Sequence, residues 1–253
     1  MKNYKPQFAD LVKKCLREAQ PRTTLEGYIS DNFVGHNKGG GTEELFAYLE
    51  RVLSDRNFCE VRVVRALQDE YYVFLHLHFG TADGSGQKVS TDFFKLDESG
   101  YVTDHWGVLQ LDSIRNPSGR TKVGGPTLPK EHDKVETNKA LIEEFMDQCV
   151  IGRDTRSMPD YVNMDFFIEH SPHYEDGWEK FQSFFEQDAC PLVYHKRVLT
   201  VAEGDFVALL SHATIEGVPV NMVDIFRMKN DQIVEHWDNS EPAQSKTEWA
   251  RAG

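Results

Sequence analysis

The chain has 253 residues, room for one large domain or two small ones, because single cores cluster near ~100–150 residues. A hydrophobic share of 40% suits soluble cores, and no apolar run reaches the ~18 residues of a membrane-spanning helix. The balance of 28 basic against 41 acidic residues leaves a net charge of −13, which repels the phosphate backbone and weighs against nucleic acid as a partner.

The opening Met1-Lys2-Asn3-Tyr4-Lys5-Pro6 lacks the apolar segment of a secretory signal, so a cytoplasmic chain is expected. Cys15, Cys59, Cys149 and Cys190 stand apart, without Cys-x-x-Cys spacing, and read as free thiols. Phe8, Leu11, Val12, Cys15 and Leu16 recur at i, i+3, i+4, i+7 and i+8, the stripe of an amphipathic helix. Phe33-Val34-Gly35-His36-Asn37 then leads into a glycine run, Gly39-Gly40-Gly41, which predicts a loop before a second helix over 42–53. Four runs rich in Val, Phe, Tyr and Leu follow, at 59–67, 71–80, 88–96 and 101–109. The separators Gln68-Asp69-Glu70, Asp83-Gly84-Ser85-Gly86 and Asp97-Glu98-Ser99-Gly100 mark them as strands.

Residues 115–130 hold three prolines and three glycines together with Arg115, Arg120, Lys122 and Lys130, the composition of a solvated linker. The same order of elements then returns. A helix is predicted over 137–150, with Leu141, Ile142, Phe145 and Met146 on its apolar side. Asp176-Gly177-Trp178-Glu179 has the spacing of a capping box for a helix running to Glu186. Strands are expected at 194–202, 206–215, 219–228 and 232–238. Phe167-Ile168-Glu169-His170-Ser171-Pro172 matches Phe33-Val34-Gly35-His36-Asn37. Asp224-Ile225-Phe226-Arg227 with Glu235-His236-Trp237-Asp238 matches Asp92-Phe93-Phe94-Lys95 with Asp104-His105-Trp106-Gly107. Helices followed by a meander, written twice, imply an α+β chain of two units, 1–114 and 131–253 with a C-terminal tail, joined by the 115–130 linker. Docking of the halves as an intrachain pseudo-dimer is the expected way to hide further apolar sheet surface, and further oligomerisation is open.

The phrases around Phe167–Pro172, Val201-Ala202-Glu203-Gly204-Asp205-Phe206-Val207-Ala208 and Val223 to Asp238 resemble the SnoaL-like polyketide cyclase family of the nuclear transport factor two-like superfamily. The resemblance spans most of residues 134–240 and is weaker over 8–112. It implies cone-shaped α+β barrels, each with one pocket between helices and concave sheet, and a cofactor-free aldol cyclase or an isomerase working by acid–base chemistry. It aligns Asp238 with the catalytic aspartate of such cyclases. Asp224 falls on the acid that ketosteroid isomerases use as an oxyanion donor, and His170 falls near their general base, where a histidine departs from the pattern. The superfamily also holds plain binding modules, so the fold supports a pocket better than a reaction.

Strand alternation adds an argument of its own. An odd number of loop residues near Lys229-Asn230-Asp231 would pair Asp224 with Asp238 and Phe226 with His236, all on one face. Two opposed carboxyls in a poorly hydrated cavity do not both ionise, which supplies an acid beside a base. A register shifted by one would move Asp238 to the other face and dissolve the pair. The candidate catalytic set is therefore Asp238, His236, Asp224 and His170. Candidate pocket residues are Phe226, Phe167, Trp178 and His212 in the second copy and His36, Asp92 and His105 in the first. Trp106 and Trp237 read as packing residues. His76 and His78 alternate onto one face, yet a lone His-x-His pair lacks the spacing of zinc motifs, and hydrogen-bonded histidines are expected instead of a metal. No phosphate-cradling glycine loop and no Ser-His-Asp or Cys-His set stands out, so no cofactor is expected. Three functional readings follow. The second copy is a cofactor-independent cyclase or isomerase on a small carbonyl compound, the chain is a non-catalytic binding or protein-interaction module, or the first copy serves mainly to support the second.

Overall fold

The computed structural model describes residues 2–37, 40–54, 58–112 and 115–243. Gly39 of the glycine run, the unit boundary near 114 and the C-terminal tail from 244 lie outside the described residues. The chain forms two tandem α+β units, one up to Ser113 and one from Ile114 to Ala243. Among the described residues no helix is long and apolar enough to cross a membrane.

The first unit opens with α1 (Lys5–Glu18), which buries Phe8, Val12, Cys15 and Leu16, the stripe expected from spacing. It ends where Ala19 adopts a left-handed conformation, and Pro21 starts the short α2 (Pro21–Leu25). Strand β1 (Ile29–Gly35) and α3 (Thr42–Val52) precede four long strands, β2 (Phe58–Asp69), β3 (Tyr72–Thr81), β4 (Lys88–Leu96) and β5 (Val102–Leu111). The sheet order is β1-β5-β4-β3-β2, antiparallel except for β1, which runs parallel to β5. Helix residues Leu45, Leu49 and Val52 pack with Val73, Leu75, Leu77 and Phe94 as one core.

The second unit repeats this plan with α4 (Val135–Phe145), β6 (Ile168–Glu169), α5 (Trp178–Phe185), β7 (Leu192–Glu203), β8 (Phe206–Ile215), β9 (Val218–Lys229) and β10 (Gln232–Pro242). The order is β6-β10-β9-β8-β7, with β6 parallel to β10. Helix α4 continues into a wider-wound turn at Met146–Ile151. Ile142, Phe145 and Met146 meet Val207, Leu209, Met222 and Phe226 in the concave core. Each fully buried phenylalanine there contributes about 3–5 kcal/mol against truncation. The parallel edge strands β1 and β6 were not foreseen, because runs of seven and two residues without clear alternation carry little periodic signal. The capping box is not formed. Gly177 takes φ 109° ahead of α5, and Asp176 turns away to accept from Glu169 N (3.1 Å) and from Arg120.

The segment expected to be a solvated linker is exposed over most of its residues and is also strapped to the second unit by hydrogen bonds. Asn116 and Lys122 are buried. Asn116 Nδ2 donates to Glu169 O (2.7 Å), Trp237 Nε1 donates to Gly124 O (3.1 Å), and Lys130 N donates to Asp205 Oδ1 (2.6 Å). The exposure of most of its residues is in keeping with its polar and glycine-rich composition. Gly125 has φ 80°, and a Cβ there would fall 2.5 Å from Glu235 Oε1 and 2.8 Å from Trp237. Gly125→Ala should therefore cost about 1–3 kcal/mol in urea denaturation and expose Trp237 to quencher, as overpacking does. A free linker would leave both measurements unchanged.

Candidate functional site

The β9–β10 hairpin decides which side chains meet. Asn230 and Asp231 form a two-residue turn with φ 53° and 61°, and Gln232 pairs with Lys229. An even loop alone would put Asp238 opposite Val223. A bulge at Val234 then shifts the register, so that His236 pairs with Phe226 and Asp238 with Asp224. The expected pairing is present, but a bulge and not an odd loop produces it. The four side chains point into the concave core.

Strand β6 adds what the sequence reading missed. Its parallel pairing sets Glu169, not His170, beside His236. His236 lies between two carboxyls, with Nδ1 2.9 Å from Glu169 Oε2 and Nε2 3.1 Å from Asp224 Oδ1. Tyr194 O–H, reaching over from β7, donates to Asp224 Oδ1 (2.8 Å). Glu169 Oε1 also accepts from the backbone of His170 and Ser171. Asp238 Oδ1 accepts from Lys122 Nζ (3.1 Å), whose ammonium also donates to Asp238 O (2.9 Å). Phe226 stacks on His236 at 4.8 Å and Phe181 meets it edge-on at 5.4 Å, so the imidazole sits in an aromatic cage. Tyr174 packs on Phe184 at 4.6 Å, its phenol pushed up by burial and by the nearby charge of Asp238 and Glu169. An aromatic residue before a helix and a lone lysine in a basic run offered no sequence signal for these roles.

Burial sets the charges apart. It raises Asp224 above the ordinary carboxylate range in spite of the His236 and Tyr194 hydrogen bonds, and it raises Glu169 likewise. Burial also acts upward on Asp238, but Lys122 and His236 more than offset it and hold that carboxyl below its usual range. His236 would be driven neutral by burial alone. Glu169 and Asp224 outweigh that and lift it to about 10, so the ring is an imidazolium donating from both nitrogens. The two opposed aspartates are thus shifted in opposite directions, Asp224 up and Asp238 down. Asp224 is 1% exposed, and its Oδ2 has no hydrogen-bond partner among the described residues.

Several expected site residues lie elsewhere. His170 is on the reverse face, stacked on Trp237 at 4.6 Å, with Nδ1 2.7 Å from Thr121 O and Nε2 2.8 Å from Glu235 Oε1. Strand alternation puts it there once Glu169 faces inward, and it is not placed as the general base of this pocket. Burial raises Glu235, yet His170 and Arg227 hold it low. His212 is also on the reverse face, because Leu209 is the β8 residue opposite Asp224. Burial and the neighbouring Lys196 and His195 push it down to about 4. Phe167 packs on Phe181 at 5.5 Å in the core, and Trp178 is half-buried at the start of α5.

In the first unit Asp92 and His105 do meet, at 2.9 Å, and Ser90 Oγ donates to Asp92 Oδ2. The rest is filled differently. A Cβ on Gly107 would fall 2.5 Å from the Tyr48 ring, which α3 inserts where the second unit has Asp238. A Cβ on Gly35 would collide with the carboxylate of Glu44, which accepts from Asn37 N (3.1 Å) as Glu169 does from Ser171 N. Asn37 also accepts from Gly107 N at 2.8 Å. His36, like His170, lies on the reverse face, stacked on Trp106 at 4.1 Å and 2.8 Å from Asp104. His76 takes its Nδ1 contact from Arg65, while His78 faces Gln87. Among the described residues no group of three or more His, Cys, Asp or Glu is placed to hold a metal.

Two measurements check this geometry. Gly107→Ala should lose about 1–3 kcal/mol by driving a methyl into Tyr48; a neutral result would remove Tyr48 as the filler. Stability should also fall on both sides of pH 6.5. A histidine raised to about 10 in the folded chain stabilises fully below its unfolded value near 6.5, and that contribution is lost as pH rises from 6.5 toward 10. His212, lowered to about 4, acts on the other limb, where stability is lost as pH falls from 6.5 toward 4. NMR titration of the ring carbons should show His236 charged well past pH 8 and His212 neutral at pH 5.

No family model matches the chain, and no curated protein matches it. Solved structures do match over single-unit lengths. A candidate ketosteroid isomerase from Kribbella flavida DSM 17836 is 14% identical, covering 44% of this chain and 83% of its own, with TM-score 0.39. An NTF2-like protein of unknown function from Mesorhizobium loti is 15% identical, covering 43% and 94%, with TM-score 0.38. IdmH, a candidate polyketide cyclase from Streptomyces antibioticus, is 17% identical, covering 45% and 98%, with TM-score 0.34.

Proposed function

We propose that the second unit binds a small, uncharged carbonyl compound between α4, α5 and the concave sheet and moves a proton on it without a cofactor. The observation that carries this reading is the unpartnered Oδ2 of buried Asp224, on a carboxyl that burial pushes toward its acid form. A protonated Oδ2 donates to a carbonyl oxygen as charge develops there, in a site where water does not compete. Asp238 stands directly opposite and is ionised, so it accepts the proton from the adjoining carbon. Return of that proton elsewhere is an isomerisation, and attack of the resulting enol carbon on a second carbonyl is an aldol closure. Tyr194 and His236 occupy Asp224 Oδ1 and thereby fix which oxygen is left for the ligand.

A second reading is favoured by the tight packing. The cavity that touches Tyr194 has about 10 Å³, is lined by Cys149, Val150, Arg153, Phe185, Leu192 and Val193 and reaches neither Asp224 nor Asp238, and Asp238 is tied to Lys122. On that reading the ion network stabilises the unit, and the chain is a binding module without turnover.

Hydrogen–deuterium exchange separates the two without knowledge of the natural substrate. In heavy water the protein should accelerate exchange at the α-carbon of small cyclic ketones. Asp238→Asn should slow that exchange by at least about 100-fold, and Asp224→Asn by about 100–1000-fold. Exchange no faster than in buffer, or variants as active as the parent, would sink the acid–base reading.

A further inference from the structure

We propose that Lys122 of the strap is a positioning residue for this site, holding the Asp238 carboxylate in the rotamer that faces Asp224. The inference rests on the acid–base reading of the second unit, and it turns a segment with the composition of a spacer into part of the site.

Three observations carry it. Lys122 is only 4% exposed, although lysine is among the residues least often buried. Its ammonium contacts two oxygens of one residue, Asp238 Oδ1 at 3.1 Å and Asp238 O at 2.9 Å, which ties side chain to backbone and fixes the carboxyl's torsion. The strap is clamped on either side of it. Thr121 O accepts from His170 Nδ1 and Gly124 O accepts from Trp237 Nε1, so the ammonium arrives from an anchored backbone and not from a free loop.

Around Asp238 the Ser171 hydroxyl lies close enough to lower the carboxyl as a neutral donor and Glu169 of β6 adds a like charge, so the cation that pairs with it is Lys122. His236 from β10 is a cation, but both its nitrogens are taken by Glu169 of β6 and Asp224 of β9. Tyr174, ahead of α5, faces Asp238 as a phenol raised by that same negative charge. Without Lys122 the opposed carboxyls of Asp238 and Asp224 would share one proton, and the difference between acid and base would shrink.

The test needs no substrate. Carboxyl carbons of ¹³C-labelled aspartate are titrated by NMR, with the Asp238 signal assigned through Asp238→Asn. Lys122→Met should raise the Asp238 midpoint by more than one pH unit, a tenfold gain in proton affinity, and Lys122→Arg should restore most of the parent value. A folded Lys122→Met protein with an unmoved midpoint overturns the proposal. Should that variant fail to fold, the parent chain still decides. Its Lys122 ammonium protons should exchange slowly with water and lose that protection in Asp238→Asn, whereas fast exchange in the parent overturns the proposal. A midpoint that moves in a chain that never accelerates ketone exchange refutes the acid–base reading and leaves the Lys122–Asp238 coupling standing.

Discussion

The extra residue Val234 in β10 is the constraint on which the rest of the second unit depends. A two-residue turn at Asn230-Asp231 suits the right-handed twist of the hairpin but pairs the strands in the wrong parity for Asp238. The bulge corrects it within two residues of the turn. Side chains alternate, so that one inserted residue turns His236 and Asp238 into the core and sends Glu235 and Trp237 to the other face. The hairpin of the first unit does the same with Thr103, which turns His105 inward toward Asp92.

Once inside, the polar groups have to satisfy one another, because an unpaired buried charge costs several kcal/mol. Glu169, His236, Asp224 and Tyr194 form a chain of hydrogen bonds through the core, and Lys122 closes on Asp238 at its edge. Among the described residues it leaves Asp224 Oδ2 without a partner, and the hydroxyls of Ser171 and Ser211 also lack one. A buried polar atom left unpaired calls for an explanation, because the great majority of such atoms in folded proteins find a partner.

The first unit shows how the same frame loses that opening. Glycine at position 35 makes room for Glu44 from a helix in place of an acid on the edge strand. Glycine at 107 makes room for the Tyr48 ring in place of an acid opposite Asp92. Both glycines have ordinary backbone conformations, and their role is the space a Cβ would take. The buried Asp92–His105 pair survives, covered by Tyr48 at 5.0 Å from the imidazole. Neither substitution would be noticed without knowing which helix faces it.

Periodicity and repetition along the chain already determined two α+β units, eight long strands and the helical stripe of α1, because these depend on local alternation and on like segments recurring. The opposition of Asp224 to Asp238 was one of two open registers, and the bulge at Val234 decided it. The tertiary structure decided what lies between elements distant in sequence. Whether Glu169 or His170 faces His236 depends on a two-residue parallel strand too short to show a period. His212 and His36 looked like pocket residues by type, and only sheet parity puts them on the reverse face. Residues 115–130 have the composition of a spacer, and yet Lys122 lies 116 positions from the carboxylate it grips. Composition reports what a segment tolerates; where its one buried lysine ends up is set by long-range hydrogen bonds that no local pattern encodes.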